Sequence, residues 1–494
     1  MMKKMLSQLL PGASFKSDVE VFGVSDDSRK IDEGHLFMAV SGENYNGSTF
    51  IAEALAKGVA AIAIDERDDI KMDPSFSVPV VKVRNLAGNR GAIASRFYDD
   101  PSSEMRVVGI TGTNGKTSVS QYIAKALNFS GEPCGVVGTM GFGIDDTFRS
   151  PGLTTPDAVS LQKIMNILKR EKAGTVTLEA SSHGLVQGRL DDIEVDIAVF
   201  TNITRDHLDY HGSFGEYQSA KQKLFEFESL SAAIVNIDDP FGTVLVDGLA
   251  DSVQEVTYSV NNTDADIHCV SLAFSNIGFE ASLETPWGSF DVKSNMLGEF
   301  NVSNLLCVAG VMGCLGFSVE EMQKGISVLK NVKGRMDLID GGSIADVVID
   351  YAHTPDALEK AIKALMLHCK QDIWCVMGCG GDRDKGKRRL MGEVSTRLAQ
   401  HTIVTDDNPR FEDPMIIINE IESGAVFGAK ITIEPERKLA ISFALDHANE
   451  NDIVLIAGKG HEDYQEIQGS RHPYSDYDVV KNFMTNATNR EQAS

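Results

Sequence analysis

The chain has 494 residues, 42% hydrophobic and 24% charged, a globular composition that excludes a disordered, collagenous or disulfide-scaffold protein. At roughly 150 residues per domain, the length suggests about three domains. Lysine and arginine total 46 against 71 aspartates and glutamates, and the formal charge of −25 disfavours nonspecific attraction to nucleic acid or anionic membrane, so any anionic ligand must be held by local cations.

Residues 1–102 hold short β-like runs at 19–24, 36–40, 60–64 and 78–83 with helical stretches between them, and end at the polar linker Asp99-Asp100-Pro101-Ser102-Ser103. A second block, 103–333, opens on a buried strand, RVVGI. A glycine-rich turn follows, then a helix whose apolar positions Val119, Tyr122, Ile123, Ala126 and Leu127 keep 3.6 spacing. Further strands are expected at 175–178, 197–200 and 232–237, giving a mostly parallel sheet, and 253–298 reads as an antiparallel insertion. The third block, 334–494, alternates strands at 347–351, 373–377, 402–405, 431–433 and 453–457 with helices, a doubly wound unit expected to carry ligands at the carboxyl ends of its strands.

The seven cysteines (Cys134, Cys269, Cys307, Cys314, Cys369, Cys375, Cys379) are odd in number and form no C-x-x-C pair, which fits reduced packing residues in a cytosol. No apolar stretch approaches the roughly 20 residues needed to span a bilayer, so a soluble protein without membrane insertion is expected.

The strongest local signal is Gly109-Ile-Thr-Gly112-Thr113-Asn114-Gly115-Lys116-Thr117. Its glycines let backbone N–H groups and the helix start face a phosphate, with Lys116 on the β/γ-phosphates and the Thr117 hydroxyl on Mg²⁺. The spacing is G-x5-G-K-T, one residue longer than the standard pattern. Glu179, ending a buried run before Ala-Ser181-Ser182-His183-Gly184, stands where a second metal ligand belongs. His207 and His211, four apart, could share a helix face as metal ligands, but the glutamate of H-E-x-x-H is missing and structural histidines are an equal reading. Lys221 and Lys223 could equally form a solvated helix face. Asn301 and Asn304, at a helix start, suit an adenine edge or a helix cap. Four charged segments (350–356, 378–389, 406–410 and 458–462) each follow a strand, precede an expected helix and should gather at one sheet edge. Arg383, Arg388 and Arg410 offer forks for carboxylate or phosphate, and Glu462 could take an amine.

With GTNGKT, EASSHGL, TRDHLDYHG, GEFNVSN, GRMD, DYAHTPDALEKA, GCGGDRDKGKR, DDNPR and AGKGHEDYQ in one order, the chain resembles the Mur ligases of bacterial cell-wall synthesis along essentially its whole length. The resemblance implies an α/β fold of three domains: a UDP-substrate domain (1–102), a central P-loop ATPase-like domain with a mostly parallel sheet (103–333) and a Rossmann-like, doubly wound amino-acid domain (334–494). It implies a cytoplasmic, monomeric, ATP-dependent amide-forming ligase whose partners are small molecules. ATP would phosphorylate the D-glutamate γ-carboxyl of UDP-N-acetylmuramoyl-L-alanyl-D-glutamate, and an amino acid would attack the acyl phosphate.

Carried over by position, the resemblance assigns Gly112, Thr113, Asn114, Gly115, Lys116, Thr117, Ser118, Asn301, Asn304, Arg335 and Asp350 to ATP. Mg²⁺ would be held by Thr117, Glu179, His207 and Lys221, the last carbamylated by CO₂; Lys116, Lys221 and His207 would serve the chemistry. The muramoyl substrate falls to Ser28, Glu43, Asn44, Tyr45, Thr154, Thr155, Ser181, Gln187 and Arg189, with two departures from a related enzyme, Asp26 for an apolar residue and Leu153 for Asn. The amino acid falls to Arg388, Asp407, Asn408, Pro409, Arg410, Gly458 and Glu462. Members reading Asp-Asn-Pro-Arg accept meso-diaminopimelate, whose distal carboxylate lysine lacks; two buried guanidiniums left unpaired would reject lysine. The rivals are a lysine-adding member, folylpolyglutamate synthetase, against which DNPR and HEDYQ argue, and a nucleotide-gated binding or scaffold protein.

Overall fold

The computed structural model describes residues 2–15, 17–41, 46–68, 77–145, 147–150, 152–342 and 344–493, with side chains through Asn486. Among these residues the strands form three main sheets. The first holds Gly23–Ser25, His35–Met38, Ala61–Asp65 and Val80–Val83 in that order, all parallel. The helix Leu86–Tyr98 buries Leu86, Ile93, Ala94 and Phe97 in the core beside this sheet.

The second sheet has ten strands. Gln254–Ser259, Ala232–Asn236, Ile197–Phe200, Arg106–Thr111, Thr175–Glu179 and Cys134–Gly138 lie side by side and parallel. Register pairs Glu179 with Ile110 and Phe200 with Thr111, so three strands end together. The turn after each therefore opens on the same edge, where parallel sheets place ligands. The helix Lys116–Phe129 returns from that edge and buries Val119, Tyr122, Ile123, Ala126 and Leu127 completely, as its 3.6 spacing requires.

The expected antiparallel insertion at 253–298 needs correction. Gln254–Ser259 pairs parallel with Ala232–Asn236, and Ile267–Ser275 starts parallel to it before meeting Gly278–Thr285 and Gly288–Ser294 in an antiparallel meander. The meander extends the same sheet because the inward face of its alternating strands (Phe279, Ala281, Leu283, Phe290, Val292) joins the core of the P-loop helix.

The third sheet runs Asp337–Ile339, Asp346–Asp350, Ile453–Ala457, Ile373–Met377, His401–Val404 and Ile431–Ile433, parallel except for its first strand. Helices Pro355–Met366, Gly386–Leu398 and Pro414–Glu422 follow three of these strands. Contrary to expectation, no helix directly follows Ile453–Ala457; the hairpin Tyr464–Ile467/Ser470–Pro473 comes first. Gln468 and Gly469 both have positive φ (49° and 74°), the two-residue turn that a hairpin of right-twisted strands favours. Among the described residues no helix is long and apolar enough to cross a membrane.

Candidate active site

Gly109 lies inside its strand, where a Cβ would strike Leu224 and Val195, so the extra residue in the motif belongs to the strand and the loop begins at Gly112. Gly112 and Gly115 have φ of 150° and 89°, and a Cβ on Gly112 would meet Thr201 Oγ1 at 1.9 Å. The loop is held from the next strand: Thr113 N–H donates to Asn202 O (2.8 Å), Asn114 N–H to Asn202 Oδ1 (3.1 Å), and Thr201 Oγ1 to Asn114 O (2.6 Å). Lys116 folds back onto the Gly112 and Thr113 carbonyls at 2.8 and 2.9 Å. Burial pulls its ammonium below the ordinary lysine range, with Glu179 and Asp206 opposing.

Thr117 donates its hydroxyl to Glu179 Oε2 at 3.0 Å, joining the two expected metal ligands. Glu179 is 1% exposed and accepts otherwise from Thr139 N–H and Oγ1. Among the described residues it forms no ion pair, although a buried carboxylate calls for a cation. Hydroxyl and carboxylate oxygens are the hard donors magnesium takes, so the residues fit it. No group of three His, Cys, Asp or Glu side chains that could hold a metal ion occurs among the described residues.

Lys221 is 1% exposed, so the solvated-face reading fails for it and holds for exposed Lys223. Its Nζ donates to Gly112 O at 2.7 Å and sits 4.5 Å from the Tyr217 ring centroid. Burial and neighbouring Lys116 drive it well below the ordinary lysine value. His207 and His211 do not share a regular helix face: His207 precedes the short helix Leu208–His211 with φ 52°. His211 Nε2 lies 2.9 Å from Ser182 Oγ, which favours its structural reading, while His207 lines the cavity. Burial holds His207 below the ordinary imidazole value, with Asp206 opposing.

In the helix Glu299–Cys314 the cap is Gly298, not an asparagine side chain. Asn301 is occupied internally: Nδ2 donates to Leu297 O, and Oδ1 accepts from Asn304 Nδ2 (3.1 Å). Asn304 Oδ1 therefore points on past Gly115, 3.2 Å from where a Cβ there would sit. Arg335 stacks on Tyr351 at 4.5 Å, its Nη2 lies 3.4 Å from Thr117 Oγ1, and its buried Nε has no partner among the described residues, a donor suited to an anion. Asp350 accepts from Met336 N–H at 2.7 Å and lines the same cavity.

The positions expected for the muramoyl substrate spread over two sheets. Ser28 donates to Glu53 Oε2 (3.0 Å). Asp26 lies 3.6 Å from Arg90, and its carboxyl is pushed up to about 6 by burial and by Asp157. Glu43, Asn44 and Tyr45 lie outside the described residues. Thr154 meets Thr139 (3.1 Å) at the cavity wall, whereas Thr155 is fully buried and holds Glu179 O and Ser181 Oγ, so it positions rather than faces a ligand. Arg189 bonds Gln187 Oε1 and Thr155 O, and Leu153 is exposed.

Arg388 requires a correction. Its side chain is fully buried and engaged by Glu412 (2.8 Å) and Glu420 (2.7 Å), so its fork braces two helices and does not reach the site. The exposed arginine of the same loop is Arg383. Arg410 sits at φ 52°, with Nε on Glu466 (3.0 Å) and Nη1 on Gly381 O (2.7 Å). Asn408 Nδ2 donates to Glu462 Oε2 (3.0 Å), buried Pro409 separates it from Arg410, and Gly458 turns at φ 118° beside Asp407. Glu462 is raised by burial and by Asp407; for Asp407 burial works upward, but Lys459 and Arg437 outweigh it and the carboxyl is lowered. Sequence reasoning gave no role to Lys459 or Asp356. A lysine between two glycines after a buried strand was the available signal for the first.

Asp356, at the start of Pro355–Met366, accepts from Asn114 Nδ2 and Thr204 Oγ1, both at 3.0 Å, and so ties the third sheet's first helix to the phosphate loop. A cavity of about 870 Å³ lies at this junction, walled by Thr113–Ser118, Glu179, His207 and Lys221 on one side and Asp350–Thr354 on the other. Tyr351 links it onward, its hydroxyl 3.4 Å from Glu462.

Family models describe three stretches of the chain: residues 20–98 match the Mur ligase family catalytic domain, 110–312 the Mur ligase middle domain and 334–460 the Mur ligase glutamate ligase domain. The UDP-N-acetylmuramoyl-L-alanyl-D-glutamate--2,6-diaminopimelate ligase of Pseudomonas aeruginosa is 45% identical over 96% of this chain and 97% of its own. A solved structure of a ligase of that name has a TM-score of 0.72 at 35% identity, covering 99% of this chain and all of the other. The MurF ligase of Thermotoga maritima in complex with ADP shares the fold, with a TM-score of 0.66 at 19% identity over 95% and 98% of the two chains.

Proposed function

This chain belongs to the Mur ligase family, and from that premise we propose that it joins meso-diaminopimelate to the D-glutamate γ-carboxyl of UDP-N-acetylmuramoyl-L-alanyl-D-glutamate at the expense of ATP. It is an ATP-dependent, amide-forming ligase of peptidoglycan synthesis. The observation that carries the reading is the cavity walled on one face by the phosphate loop and joined on the other, through Tyr351 and Glu462, to the Asp407–Arg410 loop. We take residues 1–102, 103–333 and 334–494 as domains for the uridine nucleotide, ATP and amino acid, working as a monomer in a bacterial cytoplasm.

The loop N–H groups, the N-terminus of Lys116–Phe129 and Lys116 bind the triphosphate, with Arg335 on its outer oxygens. A γ-carboxylate oxygen attacks the terminal phosphorus and ADP leaves. The amine then attacks the acyl carbon, loses a proton, and phosphate departs as the amide forms. Phosphorylation replaces a poor oxide leaving group by a good one, and the residues hold both partners in line.

Magnesium would be held by Thr117 and Glu179, with a second ion at His207 and Lys221, and would offset phosphate charge. Lys221's lowered proton affinity leaves a free amine, the form that adds CO₂, releasing one proton and making a carbamate. That step would put an anion where an ordinary lysine carries a cation, beside the place where the residues would hold magnesium. For the amino acid, Arg410 and exposed Arg383 meet the distal carboxylate, and Glu462 and the Gly458 carbonyl meet the ammonium. The test is product analysis by mass spectrometry with ATP, the muramoyl dipeptide and either diaminopimelate or lysine. The expected product carries diaminopimelate; a lysine product alone, or none, overturns the reading.

A further inference from the structure

Lys459 is fully buried at the end of Ile453–Ala457, yet no part of the chemistry above uses it. Its Nζ donates to Asn408 Oδ1 (2.9 Å) and Tyr464 O (2.9 Å), and lies 3.3 Å from Asp407 and 3.6 Å from Glu462. It thus touches all three segments that surround the expected amino-acid site: the Asp407–Arg410 loop, the Gly458–Glu462 turn and the hairpin beginning at Tyr464.

An amide side chain has two faces that differ only in which end donates. An ammonium has donors and no acceptor, so Lys459 accepts nothing from Asn408 and binds only its oxygen. Glu466 N–H donates to the same Oδ1 at 2.9 Å. Both contacts hold Asn408 with Nδ2 turned to Glu462, where one N–H binds Oε2 (3.0 Å) and the other has no acceptor among the described residues. Glu466 also holds Arg410 through Nε, so donor and guanidinium are set from one strand.

We propose that Lys459 is a positioning residue for the amino-acid substrate. It locks the Asn408 amide so that its free N–H faces the incoming carboxylate, and it balances Asp407 so that Glu462 is left to pair with the incoming ammonium. This rests on the reading of the site given above. A lysine substrate offers only the ammonium, so loss of the lock affects diaminopimelate more than lysine. Arg437, the other cation acting on Asp407, is paired with Asp476 at 2.8 Å, so Asp407, Glu462 and Lys459 together keep one negative charge, which an incoming ammonium at Glu462 offsets.

The test is a double-mutant cycle on the full chain: K459M, N408A and both together, with K459Q as the variant that keeps a donor and removes the charge. The measured quantities are the KM for diaminopimelate, the KM for ATP and the ratio of turnover with diaminopimelate to that with lysine. K459M is expected to raise the diaminopimelate KM by about tenfold or more and to lower the ratio, with the ATP KM changed by less than about twofold. In the N408A background the further loss is expected to fall below about threefold, because the amide it orients is gone. K459Q is expected to keep part of the selectivity, and it decides the matter if K459M does not fold. Equal losses in both backgrounds, or an ATP KM rising in step, would make Lys459 a structural brace and overturn the proposal. If the unaltered chain turns over with lysine and not diaminopimelate, the reading of the site fails instead, and the same cycle run on lysine still decides whether Lys459 acts through Asn408.

Discussion

Two arginines of the third sheet share a residue type and differ in everything that decides their work. Arg388 is fully buried against Glu412 and Glu420, and its guanidinium, through its hydrogen bonds, holds Glu412 down at about 2. Arg410 keeps 21% of its side chain exposed, with Nε on Glu466 and Nη1 on the Gly381 carbonyl. Arg388→Ala is expected to lower the melting temperature, with a loss on the order of 3 kcal/mol and no change in KM of the folded fraction. Arg410→Ala is expected to abolish diaminopimelate ligation at a nearly constant ATP KM; a large rise in the ATP KM alone would contradict that. Both arginines sit in charged runs after strands, so the chain order could not tell which would be enclosed by Glu412 and by Glu420 of the helix Pro414–Glu422. Asp26 gives a second residue-scale expectation. Its folded carboxyl titrates near 6 against an unfolded value of 3.8, so the folded state binds the proton more tightly and stability falls as pH rises from about 4 to about 6. Asp26→Asn should therefore stabilise the fold at neutral pH by about 3 kcal/mol, read as a higher melting temperature, and leave it unchanged below about pH 4. A gain of equal size at both pH values would show that charge burial is not the cause.

At the scale of elements, the strand–turn–helix around Lys116 was fully legible: an apolar run, glycines needing positive φ, then 3.6 periodicity all point to one local structure. The strand ending at Glu179 was equally legible, and the parallel register explains why its carboxylate reaches Thr117. What the spacing could not reveal was pairing over distance. Residues 254–259 read like the meander that follows them, and only their partner Ala232–Asn236 makes them parallel. The hairpin after Gly458 was hidden because its turn needs a left-handed Gln468, a residue that rarely advertises such geometry. The helix Phe214–Gln222 carries Lys221 inward onto Gly112 O, and its chemical state can be read directly. Isotopically labelled bicarbonate should yield a carbamate carbon resonance that Lys221→Ala removes. A resonance unchanged by that substitution, or none in the active protein, would exclude the modification.

Across the whole molecule, the phosphate loop and the amino-acid loops come from different sheets, and the Asp356 carboxylate joins them by accepting from Asn114 and Thr204. Gly334, at φ 73°, lets the chain cross between these bodies so closely that a Cβ would lie 2.3 Å from His461 N. Asp356→Ala is expected to loosen this junction, raising the ATP KM by about tenfold and enlarging the radius of gyration in solution scattering. An unchanged ATP KM and radius would show that the contact does not hold the two sides together. The central claim is that a phosphorylated carboxyl and a twice-zwitterionic amine donor meet in the cavity between these sheets. Phosphate release from ATP, measured with the muramoyl dipeptide and a panel of amino acids, tests it most directly. Rapid release is expected only when the dipeptide and diaminopimelate are both present; release at the same rate without either substrate, or with every amino acid alike, would contradict this.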